Sequence, residues 1–110
     1  MKRRGTPVDS AVPLLVERLK DNDRFVSVMA EIALAELAIE PNIVVPALTN
    51  CLQSSDSYIR GTAIAALGRF GDNARPAVPA LIEALGDPDG SIRESATNAL
   101  ARIAPEVLAK

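Results

Sequence analysis

The chain of 110 residues has no histidine and no tryptophan, a single cysteine, one tyrosine and two phenylalanines. Each shortage closes off a class of chemistry. Without histidine there is no imidazole base, no histidine-activated nucleophile and no imidazole metal ligand. One thiol, Cys51, makes neither an internal disulfide nor a thiolate zinc site. No GxGxxG or GxxxxGK[ST] stretch offers a glycine-rich loop to phosphate. The most apolar stretch, "IALAELAI", is short and carries Glu36, so it cannot span a bilayer. Lys2, Arg3 and Arg4 lead into "GTPVDS" rather than an apolar run, so no secretory signal is expected. A net charge of -2 gives no general attraction to nucleic acid. These absences set the expectations of no enzyme activity, no cofactor, no metal, no membrane span and a cytoplasmic location.

What the chain has in quantity is aliphatic. Hydrophobic residues make up 48%, mostly Ala, Leu, Val and Ile, a mixture that favours helices around an ordinary core. The same phrase is written three times, as "SAVPLLVERL", "IVVPALTNCL" and "PAVPALIEAL". Aligning Val12, Val45 and Val78 gives an offset of 33 residues each time, without gaps. Pro13, Pro46 and Pro79 then share a column. So do Leu19, Leu52 and Leu85; Asp23, Asp56 and Asp89; and Leu34, Leu67 and Leu100.

Each unit reads as two helices. The first is expected to begin near the shared proline, where a missing N–H costs nothing. Val12, Leu15, Val16 and Leu19 fall three or four apart on one face of it. The turns are "KDND", "QSSDS" and "GDPDG", and the shared Asp is placed to cap the second helix. The second helix of the first unit carries Val26, Ala30, Ala33, Leu34 and Leu37 as its expected core side. Hairpins of this size cannot bury their stripes alone, so the copies must stack.

These residues resemble a HEAT repeat of the short type found in phycobilisome-lyase-like HEAT proteins. The likeness is carried by "VPALTNCLQSSDSYIRGTAIAALGRFGD" and "VPALIEALGDPDGSIRESATNALARI", with Ile59-Arg60, Ile92-Arg93 and the "AALG" ending at Gly68 as the telling pieces. The first unit departs from the pattern, with Val26-Ser27 and "LAEL". The resemblance implies an all-α fold, an α-solenoid or superhelix of three stacked two-helix repeats, about 11–43, 44–77 and 78–110. Residues 1–10 would be an N-terminal extension or cap. It also implies a ladder in which a turn Asp meets an Arg six residues on. Asp87 and Arg93 fit, whereas Arg60 must borrow Asp21 or Asp87 because Ser54 stands in its own turn.

In such stacks the second helices line the side that holds partners. The residues expected there are Val28, Ile32, Glu36 and Ile39 from the first unit, Ala65 and Arg69 from the second, and Asn98 and Arg102 from the third. The corresponding function is a non-catalytic scaffold that binds a protein or peptide. The alternatives are a bilin-lyase-like subunit and a weak nucleic-acid binder gripping through Arg69, Arg102 and the basic start. Both have little in the chain to support them. "RFVSVMAEIALAELAIE" is apolar nearly all round, which is unusual for an end repeat. Three covers for it stay open: residues 1–10 folded back, a homodimer through the first repeat, or a partner's apolar segment. Phe25 and Tyr58, which share a column, are expected to pack the turns.

Overall fold

A computed structural model describes residues 7–109, with side chains from residue 11 onward. The expected basic arm of Lys2, Arg3 and Arg4, and with it most of the expected cap, lies outside the described residues. Among the described residues there are six α-helices and no strand. They are α1 (Pro7–Arg18), α2 (Arg24–Leu37), α3 (Pro41–Asn50), α4 (Ser57–Gly68), α5 (Val78–Ala84) and α6 (Gly90–Ile103). Short 3-10 helices cover Cys51–Gln53, Gly71–Ala77 and Pro105–Leu108.

The three turns are built alike. Asp21 and Asp87 carboxylates and the Ser54 hydroxyl, which share a column, each accept the N–H two residues on, from Asp23, Asp89 and Asp56. Asp23, Asp56 and Asp89 then cap α2, α4 and α6, accepting from the backbone N–H of Phe25, Tyr58 and Ser91 at 2.9 Å. One polar device repeated at a fixed offset therefore starts every second helix, by satisfying donors the helix itself leaves orphaned.

In the first two units the first helix starts earlier than the shared proline suggested; in the third, α5 begins at Val78 with Pro79 in its first turn, as expected. Pro13 and Pro46 lie inside α1 and α3, while α5 is preceded directly by the 3-10 helix Gly71–Ala77. The first-turn prolines of α1 and α3 are Pro7 and Pro41, where no N–H is needed. The interior prolines each remove one helical hydrogen bond. Residues 7–10 form the first turn of α1.

α1 pairs with α2, α3 with α4 and α5 with α6, and the second helices also pack on one another, α2 on α4 and α4 on α6. The repeated columns form the interior: Leu34, Leu67 and Leu100 are buried, as are Leu48 and Leu81, whereas Leu15 in the first unit is only partly so. Ion pairs tie neighbouring units. Arg24 reaches Asp56 at 2.7 Å, Arg60 reaches Asp87 at 3.2 Å, and Arg75 reaches Glu106 at 2.7 Å. Arg60 thus borrows the next unit's aspartate, as its own turn required. Arg93 does not pair with the Asp87 carboxylate. Its guanidinium donates to the carbonyls of Asp87 and Pro88, because Arg60 and the Asp89 N–H already use that carboxylate. Phe25 and Tyr58 do not pack the turns; both are exposed, and the Arg24 guanidinium lies 5.7 Å from the centroid of the Tyr58 ring.

Candidate functional site

Because a second helix packs on its hairpin partner and on the next second helix, it needs a buried sector wider than one stripe. In α2 that sector takes in Ser27, Val28, Ala30, Glu31, Leu34 and Ala35. What remains exposed is a narrower face, and the three copies of it lie side by side. They form an open groove of about 640 Å³ across α2, α4 and α6. Ile32, Ala35 and Glu36 line its α2 end, Thr62, Ala65, Ala66, Gly68 and Arg69 its middle, and Ser95, Asn98, Ala99, Ala101 and Arg102 its α6 end.

Six of the eight residues expected from the sequence line this groove: Ile32, Glu36, Ala65, Arg69, Asn98 and Arg102. Val28 and Ile39 do not. Val28 is 5% exposed, because the buried sector of α2, a helix packed on both α1 and α4, is wide enough to take it in. Ile39 lies beyond the helix. α2 ends at Leu37, Ala38 turns left-handed with φ 48°, and Ile39 packs against the core. The helical period used to place it had already stopped.

The groove is wide because its middle is made of short side chains. A β-carbon built at Gly68 would lie 3.6 Å from the Ala99 Cα and 3.6 Å from the Arg102 Cδ, so α4 approaches α6 closely there and the Arg102 stem leans over Gly68. A second groove of about 380 Å³ continues between the early turns of α4 and α6. It shares Thr62, Ala65 and Ser95 with the first and adds the hydroxyls of Ser57, Tyr58 and Ser91.

The arginines divide sharply. Arg18, Arg24, Arg60 and Arg75 have carboxylate partners, and Arg93 has carbonyl partners. Arg69 and Arg102, the two that line the groove, have neither ion-pair nor hydrogen-bond partner among the described residues. Glu36, in the same sequence column, faces the groove from α2 without an ion-pair partner there either.

One notable group went unread in the sequence. Glu31 is fully buried, and neither carboxyl oxygen has a hydrogen-bond partner among the described residues. Burial pushes its pKa up to about 8; the neighbouring Cys51 thiol opposes that rise and the Asp56 charge adds to it. Burial and Glu31 together push the half-buried Cys51 thiol up to about 12, which makes it a poor nucleophile. The sign was present in the repeat: Glu31 occupies the column that Ile64 fills in the second unit. Neither Glu31 nor Cys51 opens into the main groove. Among the described residues no group of three or more acidic or thiol side chains is placed to hold a metal. No helix among them is long and apolar enough to cross a membrane.

Comparison with known families matches residues 45–110 to the model described as HEAT repeats. No curated protein matches the chain.

Proposed function

Since the chain belongs to the HEAT-repeat family, we propose that it is a non-catalytic protein-interaction module in which the groove over α2, α4 and α6 holds a segment of a partner protein. The three hairpins, divided about 11–43, 44–77 and 78–110, would stack as one α-solenoid. The likeness to the short phycobilisome-lyase-like type is read for architecture alone. The observation that carries the functional reading is the groove itself: exposed faces of all three second helices are contiguous, and their middle is left unfilled by alanine and glycine. Concave surfaces with short side chains and a few polar groups are where extended segments dock.

A photo-cross-linking amino acid at Ala65 tests this. In lysate of the cells that encode the protein, it should trap one discrete adduct, and Ile32→Asp should abolish it while helicity stays unchanged. The same probe at Glu17 on α1 should trap none. Equal adducts from both positions would mean that the groove is not the binding face.

A second reading rests on a different observation. Leu14, Phe25 and Met29 on α1 and α2 are each roughly two-thirds exposed, at 65%, 67% and 63%. Apolar exposure of this size on both helices of one hairpin supports a homodimer through the first repeat.

A further inference from the structure

We infer that the groove takes an acidic segment in an extended, polyproline-like conformation, with an aliphatic side chain on Ile32 and carboxylates on Arg69 and Arg102. This rests on the groove being the binding face and names the chemistry of its occupant. Three observations support it. First, of the arginines among the described residues, only the two lining the groove lack a carboxylate or carbonyl partner, although the other five have found one. Second, the Arg102 stem leans over Gly68, the residue before Arg69, so two cations are held along one wall with no anion between them. Third, the column changes sign at α2, where Glu36 would repel a carboxylate and Ile32, 42% exposed, offers apolar contact instead. Charge therefore sets the direction in which the segment lies: apolar at α2, acidic at α4 and α6.

Spacing selects the conformation. Packed helices stand about 8–10 Å apart. A polyproline helix repeats every three residues and advances about 9.3 Å per repeat, so side chains at every third position fall on one face at the spacing of successive second helices. A β-strand would turn every third side chain away. Guanidinium pairs bind carboxylates more strongly than other surface contacts do, since both partners are ionised.

The test is a titration of isotope-labelled protein, followed by amide NMR shifts, with the peptide acetyl-Leu-Pro-Pro-Glu-Pro-Pro-Glu-amide and its reversed sequence. At least one should shift Ile32, Ala65, Arg69 and Arg102 together and saturate. Replacing both glutamates by glutamine, or making Arg69→Gln with Arg102→Gln, should each weaken binding about tenfold. Added salt should weaken the acidic peptide selectively. If groove shifts persist with equal affinity for the glutamine peptide, or survive the double variant, the acidic occupant is overturned while the groove stays the binding face. If neither peptide moves groove amides, or shifts fall elsewhere, the acidic occupant is overturned, and the Ala65 cross-link decides separately whether the groove is the binding face.

Discussion

Glu31 is the residue whose chemistry differs most from its surroundings. Its carboxyl is fully buried, and neither oxygen has a hydrogen-bond partner among the described residues. It is therefore held in the neutral form, with pKa about 8 against an ordinary 4.5. The groups facing it are the Cys51 thiol and the Asp56 carboxylate, and neither supplies a positive charge. The linkage has a definite sign. Below pH 4.5 both folded and unfolded chains carry the proton, and ionisation costs nothing. As pH rises from there, the unfolded chain loses its proton while the folded one keeps it, so stability falls until the folded group ionises near 8. The full loss across that window is on the order of 5 kcal/mol. Asp56, Asp89 and Glu106 act oppositely. Arg24 on Asp56, Ser91 on Asp89 and Arg75 on Glu106 lower their pKa values, so their contributions disappear only as the medium becomes strongly acidic. Stability should therefore peak in mildly acidic solution. Urea midpoints at pH 5 and pH 8 should differ clearly in the native chain and hardly at all in Glu31→Gln. Equal midpoints in the native chain would show that the carboxyl reaches water.

At the scale of elements, the repeats show where a pattern in sequence stops predicting. The capped starts of α2, α4 and α6 were legible because an Asp at a fixed offset before an aliphatic stripe has one economical use. The starts of α1 and α3 were not. A proline in the first turn and one in the interior look identical in sequence, and only packing of the preceding turn separates them. The exposed face of the second helices was legible to within one column. It failed at Val28 because the width of a buried sector depends on how many neighbours a helix has, which one helix's period does not report. It failed at Ile39 because Ala38 ends α2 in a left-handed conformation that usually marks itself with glycine. The second unit does use glycine in that column: Gly71 has φ 54°. The pair makes a matched prediction. Ala38→Gly should stabilise the protein by about 0.5–1 kcal/mol by relieving left-handed strain, and Gly71→Ala should destabilise it by about 1 kcal/mol. A β-carbon at Gly71 meets nothing within 4 Å, so its cost would be backbone strain alone. Denaturant unfolding of both variants checks this, and effects of the same sign at the two sites would refute the shared origin.

Across the whole molecule the first and third hairpins present unlike surfaces, and that difference constrains how copies could meet. The first hairpin exposes Leu14, Phe25 and Met29. The outer face of α6 instead exposes Arg93, Glu94 and Thr97. Contact of the first hairpin with the exposed face of α6 would press apolar side chains against Arg93 and Glu94 and bury unpaired polar groups, which opposes a head-to-tail arrangement through these two surfaces. A two-fold arrangement sets apolar against apolar and closes on itself. Its strength is limited by size. Stable dimers bury about 800 Å² per partner, whereas three side chains two-thirds exposed offer only a few hundred. The expected outcome is a weak, concentration-dependent dimer. Light scattering from micromolar to millimolar protein should show the mass rising toward twice the monomer, and Met29→Asp or Phe25→Asp should hold it at the monomer with unchanged helicity. Phe25 and Met29 share the stripe of α2 that carries Ile32 and Glu36, but Arg69 and Arg102 belong to the α4 and α6 parts of the groove, so Arg69→Gln and Arg102→Gln should leave the mass curve alone. A monomer throughout the range would remove the second copy as the cover for this patch, whereas loss of dimer in the arginine variants would place the contact in the groove instead.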